Sequence, residues 1–335
     1  MKKRIGILTS GGDAPGMNAA IRAVVLASAI KEYEVIGFFH GYNGLINSEC
    51  SLLDKASVDN IIHLGGTTLK SARCPELKTE EGFNQAINTL IKLKIDALIV
   101  VGGDGSFTGL SKIAEHWDGQ VIGLPGTIDN DLDGTDLTIG FSTAINTAIN
   151  AIDKIRDTAN AFDRVFVVEL MGRHSGHIAF HVGIATGAEQ IISFENFHHG
   201  DTETKVAEII KEVKQSKENK DASYLIVIAE NLWPGGVTHL SNALASADID
   251  TGTCILGHIQ RGGSPVAKDR ILATKLGVEA IQAIEDGKTN IMIGEINNEV
   301  SFVPLVTAIQ HTKNVAENMV AAHKDILAFG CHSNR

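Results

Sequence analysis

Val121-Ile-Gly-Leu-Pro-Gly-Thr-Ile-Asp-Asn-Asp131 decides how this chain is read. Its first four residues are an uninterrupted apolar run, short enough for a strand buried on both faces. The next seven, Pro125 to Asp131, place two carboxylates two residues apart where that strand ends. In an α/β fold the carboxyl ends of strands are where ligands and chemistry collect. Two further stretches use the same device. Ser10-Gly-Gly-Asp13 and Gly102-Gly-Asp-Gly105 each follow an apolar run and precede a helical pattern. Three acidic, glycine-rich strand ends in one part of a chain point to a site handling phosphate and a metal ion.

The pattern extends outward from there. Strand candidates fall at 5–9, 35–39, 97–101, 121–124, 165–170, 190–193, 224–229, 254–258 and, more weakly, 300–303. Helical periodicity predicts helices over 17–30, 80–93, 107–116, 141–158, 178–186, 204–217, 238–247, 268–284 and 315–327. Strands buried on both faces and separated by helices imply α/β architecture with parallel, doubly wound sheets. At 335 residues the chain suits two lobes rather than one. A crude boundary falls near residue 138, after the acidic loop, with a catalytic cleft expected between the lobes.

Composition narrows the function. A net charge of −11 argues against a general nucleic-acid surface, which needs a basic face. No run approaches the ~18 apolar residues of a membrane span. The basic start, Met1 to Arg4, leads into an apolar stretch that soon meets Gly11, Gly12 and Asp13. That reads as a first strand, not a signal peptide. Cys50, Cys74, Cys254 and Cys331 lack metal-type spacing, which suits free thiols in a reducing cytosol.

Each motif has a chemical reading and a plain one. In Gly102-Gly103-Asp104-Gly105-Ser106, glycines admit close approach of an anion, and the following helix offers unpaired N–H groups at its positive end. Asp104 can hold Mg²⁺, which takes one or two carboxylates plus phosphate oxygens. The plain reading is a tight turn with Ser106 as N-cap. The chain has neither a Walker A loop nor a dinucleotide fingerprint. Gly11 to Gly16 repeats the device, and Arg73 lies in a glycine-rich stretch, where a solvated surface arginine is the plain reading. In Thr127-Ile-Asp129-Asn-Asp131 one carboxylate can serve as base and another can orient a metal; the alternative is an Asx-rich turn. Glu169 to Gly176 ends another strand, and Arg173 there can neutralise charge on a transferring group. His174, His177 and His181 tempt a metal reading, but the spacing lacks the metalloprotease glutamate, and a structural role is the simpler one. Gly257-His-Ile-Gln-Arg-Gly-Gly-Ser-Pro265 is a further arginine loop, and Glu230 sits at a strand end able to hold hydroxyls. The lysine-rich run 211–220 reads as a solvated helix face.

Taken in order, these motifs identify a resemblance. Ile5 to Arg22, Gly102 to Gly105, Pro125 to Asp131, Met171 to Arg173 and Gly257 to Pro265 resemble bacterial ATP-dependent 6-phosphofructokinases over nearly the whole chain. The resemblance implies two similar three-layer α/β/α lobes: residues 1–138 with about 252–304 for ATP, and 139–251 with about 305–335 for the sugar phosphate. It implies transfer of the ATP γ-phosphate to the 1-hydroxyl of fructose 6-phosphate, with Mg²⁺, in a cytoplasmic homotetramer open to ADP or phosphoenolpyruvate as effectors. Asp129, Thr127 and Arg173 then correspond to the catalytic residues, and Asp104 to the Mg²⁺ ligand. Gly12, Arg73, Cys74, Gly103, Asp104, Gly105 and Ser106 correspond to the ATP site. The sugar-phosphate set is Thr127, Ile128, Asp129, Arg164 (from a neighbouring subunit), Met171, Gly172, Arg173, Glu230, His258, Ile259, Gln260 and Arg261. Arg22, Arg156, Gly187, Glu189 and Lys214 correspond to the effector pocket. Gly105 and Gly126 select ATP over pyrophosphate, whose users carry aspartate and lysine there.

Three departures stand out. Gly252 replaces an arginine of the sugar-phosphate site, Leu26 and Ala56 replace an arginine and an aromatic of the effector pocket, and Cys74 replaces an aromatic beside the adenine. Gly252 keeps open a regulatory paralogue, a sugar-phosphate sensor or a kinase of another ketohexose phosphate. A NAD or lipid kinase would share only the four-residue glycine loop.

Overall fold

The opening apolar run becomes β1 (Arg4–Thr9), followed by α1 (Met17–Ile30), β2 (Glu34–Phe38), α2 (Tyr42–Asn47) and β3 (Cys50–Leu53). Then come α3 (Glu80–Lys92), β4 (Ala97–Gly102), α4 (Asp104–Ala114), β5 (Gln120–Thr127) and the two-residue β6 (Ile139–Gly140). The middle of the chain forms α5 (Phe141–Phe162), β7 (Val165–Leu170), α6 (His177–Ala185), β8 (Gln190–Ile192), α7 (Thr202–Glu218), β9 (Tyr224–Ala229), α8 (Gly236–Ala245) and β10 (Thr251–Ile255). It closes with α9 (Ala267–Glu285), β11 (Ile291–Ile296), β12 (Glu299–Pro304), α10 (Leu305–Gln310) and α11 (Glu317–His332). The computed structural model describes residues 2–218, 223–310 and 313–332, with side chains to residue 325. Cys331 as a free thiol and the end of the lysine-rich run, at 219–220, lie outside the described side chains and residues. Cys50, Cys74 and Cys254 are free.

The chain divides into two units, Met1–Thr143 with Arg261–Lys313, and Ala144–Gln260 with Asn314–Arg335. The first unit holds an eight-stranded sheet in the order β12-β11-β5-β4-β1-β2-β3, with β6 paired to β5. β1, β2, β4, β5 and β11 run parallel; β3 and β12 are antiparallel additions at the two edges. β4 and β5 are buried at nearly every position, as expected for strands covered on both faces. Leu8, Leu98, Val100, Phe107 and Leu110 share one core cluster. Alternation turns Ile7, Ile99 and Val101 to the opposite face, where they are fully buried. The topological switch lies at β1, which has β2 on one side and β4 on the other. The loops leaving β1 and β4 are therefore where a ligand is expected.

The second unit has a four-stranded, all-parallel sheet in the order β10-β7-β9-β8. Its switch lies at β7, flanked by β9 and β10, so the loop after Leu170 takes the corresponding place.

The observed unit boundaries differ from the sequence expectation. The return to the first unit comes at residue 261, not near 252, because β10 pairs with β7 from Thr251 to Ile255. The strand itself sits three residues earlier than the apolar run 254–258 suggested. Gly257 adopts a left-handed φ of 53° and opens a short 3-10 turn that carries His258 to Arg261. α10 belongs to the first unit, where its Leu305 joins the core cluster. The first return to the second unit falls at residue 144, inside α5, not at 139.

Candidate active site

The first unit gathers three of the sequence-predicted loops. Ser10 N–H donates to Val101 O at 3.0 Å, tying the end of β1 to the end of β4. Ser71 Oγ donates to Gly11 O at 2.7 Å, which brings the Ser71–Cys74 segment beside the first glycine loop. Gly12 lies against the tip of a side chain: a Cβ there would stand 2.5 Å from Arg261 Nη1. Arg261 in turn donates to Asp13 O at 3.1 Å. Arginine and glycine, assigned to different ligands by the resemblance, thus meet in one place. Arg73 is exposed, and Cys74 is half-buried, with burial pushing its thiol up.

The Gly102–Ser106 turn differs from the sequence reading in one respect. α4 begins at Asp104, not Phe107, with Gly103 in the N-cap position, so Ser106 is no cap. Ser106 is buried in the first helical turn, and its N–H donates to Gly103 O at 3.0 Å. Tyr42 Oη donates to Ser106 O at 2.7 Å from α2, bracing the turn. Asp104 Oδ1 accepts the Gly105 N–H at 2.6 Å. Gly105 is exposed, with nothing within 4 Å of the position of a Cβ. Among the described residues no group of three or more His, Cys, Asp or Glu could hold a metal. Asp104 stands at the N-terminus of α4, where one carboxylate beside phosphate oxygens would suit Mg²⁺.

β5 delivers the acidic loop directly against this turn. A Cβ on Gly103 would lie 3.5 Å from Thr127 Cβ. Thr127 Oγ1 accepts the Asp129 N–H at 3.2 Å, and Thr138 Oγ1 donates to Thr127 O at 2.6 Å. Asp129 is only 5% exposed, and Asn130 2%. Ile128 is fully buried, so only its backbone is available to a ligand. Gly126 is more than a turn residue: a Cβ there would stand 2.7 Å from Val101 Cγ1 and 3.1 Å from Met17 Cε.

The second unit builds its own loop after β7. Gly172 N–H and Arg173 N–H both donate to Glu230 Oε1, at 3.1 and 2.8 Å. Met171 N–H donates to Gln260 Oε1 at 2.9 Å. Glu230 and Gln260 thus hold the loop that presents an exposed Arg173 in a left-handed conformation, φ 57°. Burial, and then the charge of Glu230, hold the neighbouring Glu169 carboxyl above the usual range. His258 and Ile259 are exposed. Arg164 pairs with Asp250 at 2.8 Å. Gly252 faces Phe166 across the β10–β7 register, and a Cβ on Gly252 would stand 2.5 Å from the ring. His181 Nδ1 contacts His177 O at 2.7 Å, and His174 packs edge-on against Phe194. These contacts give His181 and His174 partners within the second unit.

Arg156 donates to Thr186 O and Gly187 O at 3.0 and 2.8 Å, and pairs with Glu189 at 3.4 Å. Lys214 is exposed on α7, while Arg22 lies on α1 in the other unit. The sequence reading passed over Lys313 and Asp269, both of which bind the segment after β5. Lys313 is visible only in three dimensions, since it lies 177 or more positions along the chain from its loop partners. The helical pattern around Asp269 offered one signal, a carboxylate on the same face as Leu272, Ala273 and Leu276.

A family model described as phosphofructokinase matches residues 4–284. The ATP-dependent 6-phosphofructokinase of Bacillus subtilis (strain 168) is 45% identical over 324 residues, covering 97% of this chain and 99% of that protein. ATP-dependent 6-phosphofructokinase 1 of Thermus thermophilus is 48% identical over 314 residues, covering 93% and 96%. A solved structure of phosphofructokinase from Saccharomyces cerevisiae superposes with a TM-score of 0.85 at 35% identity. It matches 98% of this chain, which spans about half that yeast chain, 48% of its length.

Proposed function

This chain belongs to the phosphofructokinase family, and we infer that it is an ATP-dependent 6-phosphofructokinase. It transfers the γ-phosphate of ATP to the 1-hydroxyl of fructose 6-phosphate, giving fructose 1,6-bisphosphate and ADP. The observation that carries this reading is the acidic loop: Asp129, almost buried, follows Thr127 at the end of a central strand and abuts the Gly103 turn.

Phosphoryl transfer asks a protein for positioning, charge neutralisation and a proton acceptor. Asp129 is assigned as the acceptor of the proton on the sugar 1-hydroxyl. Burial limits the water around its carboxylate, and the Thr127 hydroxyl fixes its backbone. Thr127 and Arg173 are assigned to the transferring group. Gly12, Arg73, Cys74 and Gly103 to Ser106 are assigned to ATP. Met171, Gly172, Glu230, His258, Ile259, Gln260 and Arg261 are assigned to the sugar phosphate, with Ile128 through its backbone and Arg164 from a neighbouring subunit. Asp104 would hold Mg²⁺, which when bound would neutralise nucleotide phosphate charge. The reading includes a cytoplasmic homotetramer with a weakened ADP or phosphoenolpyruvate site at Arg22, Arg156, Gly187, Glu189 and Lys214.

Gly252 favours a second reading, in which the acceptor is another ketohexose phosphate. Phe166 fills the space beside it, so a side chain at this position would meet the ring. One assay separates the readings: formation of fructose 1,6-bisphosphate with ATP and with pyrophosphate as donors. Turnover of fructose 6-phosphate with ATP, reduced about 10²–10⁴-fold in Asp129→Asn while ATP binding persists, is the expected result. Near-normal turnover in that variant removes Asp129 as the base.

A further inference from the structure

No motif points to Lys313, yet it makes four hydrogen bonds to the segment that follows Asp129. Its ammonium donates to Asn130 Oδ1 at 3.3 Å, Thr135 O at 2.8 Å and Asp136 O at 2.5 Å. Its backbone N–H donates to Asp131 O at 3.3 Å. All four acceptors belong to the segment 130–136, which begins immediately after Asp129. That segment carries Asp131, Asp133 and Asp136, so its carboxylates repel one another unless a cation is lodged among them.

Asn130 is the link to the chemistry. It is buried and holds a left-handed φ of 52°, a conformation that asparagine adopts more readily than other non-glycine residues. Its Oδ1 accepts the Thr138 N–H at 3.0 Å as well as the Lys313 ammonium. Its Nδ2 donates to Asp136 O at 3.3 Å. Thr138, in turn, donates to Thr127 O. The segment is therefore a closed stitch whose two ends are Thr127–Asp129 and Thr138, with Lys313 as the cation at its centre. Burial pulls the ammonium down to about 8, against the opposing charges of Asp136, Asp133 and Asp131. A half-buried lysine of that kind is poor value for stability alone, which suits a part kept for geometry.

We propose that Lys313 is a positioning residue for phosphoryl transfer: it clasps the 130–136 loop and, through Asn130, fixes the backbone that aims the Asp129 carboxylate. This rests on the assignment of Asp129 as the proton acceptor. Misplacement of a reacting group by about 1 Å can cost about 10²-fold in rate. The clasp thus acts on turnover, not on the nucleotide site, which is built by Gly12 and Gly103–Ser106.

The test compares full-length wild type, Lys313→Met and Asp129→Asn by steady-state kinetics, with amide exchange at Thr138 followed in parallel. Lys313→Met is expected to lower kcat roughly 10–100-fold with KM for ATP within about two-fold. The Thr138 amide, bonded to Asn130, is expected to exchange at least ~10-fold faster, since a freed loop opens more often. Wild-type kcat in folded Lys313→Met overturns the proposal, as does a kcat loss with Thr138 exchange unchanged. Should Asp129→Asn keep its turnover, the base assignment has failed, and Thr138 exchange alone then decides whether Lys313 holds the loop. If Lys313→Met does not fold, Asn130→Ala breaks the other half of the same clasp: wild-type kcat there overturns the proposal, and a selective kcat loss supports it.

Discussion

Gly105 and Gly126, both proposed to leave room for the nucleotide, sit in different physical surroundings. Gly105 has open space where a Cβ would go, so Gly105→Asp is free to fold and acts only on what binds there. A carboxylate one residue from Asp104 repels triphosphate, and KM for ATP should rise at least ~10-fold with an unchanged thermal midpoint; like-charge juxtaposition costs several kcal/mol. Gly126 is packed, with Val101 and Met17 where its side chain would start. Gly126→Lys should therefore lose about 1–3 kcal/mol of stability before any effect on donor choice is read. Thermal unfolding alongside ATP kinetics separates the two. The sequence identified both positions, because the motifs around them are local. It could not tell open space from packing, because Val101 and Met17 reach Gly126 from other elements.

At the scale of elements, legibility followed burial. β4, β5 and β9 are apolar runs buried along nearly their whole length and β7 is buried at most positions, and the runs 97–101, 121–124, 165–170 and 224–229 found all four. The edges were harder. β3 has no fully buried residue, so Cys50–Leu53 carries no strand signal. The β11–β12 hairpin was half missed: only its second strand was expected. Its signal was Asn297-Asn298, a two-residue turn with both φ values positive, 53° and 66°, between Ile296 and Glu299. Contacts between elements stayed invisible. Asp269, in the first turn of α9, accepts Gly140 N–H at 3.0 Å and Thr143 N–H at 2.7 Å, and Thr143 Oγ1 as well. It thereby pins the end of β6 and the start of α5, just beyond the acidic loop. Asp269→Asn turns a donor toward those donors and should cost about 1–3 kcal/mol at neutral pH. Burial holds the carboxyl above the ordinary aspartate value, with Thr143 and Gly140 opposing. In the window between the ordinary value and the raised one, the native state keeps a proton that the unfolded chain has released. The carboxyl's contribution is then complete below that window and declines as pH rises through it. Urea unfolding should therefore show a wider gap between wild type and Asp269→Asn near pH 4 than at pH 7.

For the molecule as a whole, the open question is whether a signal reaches the active site. The resemblance supplies an effector pocket and then removes two of its members, through Leu26 and Ala56. The structure adds a reason drawn from a residue that remains. Arg156 already gives its guanidinium to Thr186 O, Gly187 O and Glu189, with Ser223 Oγ at 3.4 Å. Glu189 is committed in turn, accepting Leu225 N–H at 2.6 Å on β9. An anion entering there must displace contacts that stabilise the second sheet, and a charge-assisted hydrogen bond is worth roughly 1.5–3 kcal/mol. That loss offsets much of what the arginine could offer a phosphate. An effector shifts an equilibrium only when it occupies its site, and one that must break these contacts to bind occupies it sparsely. Millimolar ADP should accordingly leave KM for fructose 6-phosphate within about two-fold, since a sparsely occupied site shifts the equilibrium by under ~0.5 kcal/mol. Phosphoenolpyruvate should raise it no more. A five-fold or larger change with either ligand, abolished by Arg156→Ala, would mean that Arg156 exchanges its partners for the effector at small cost.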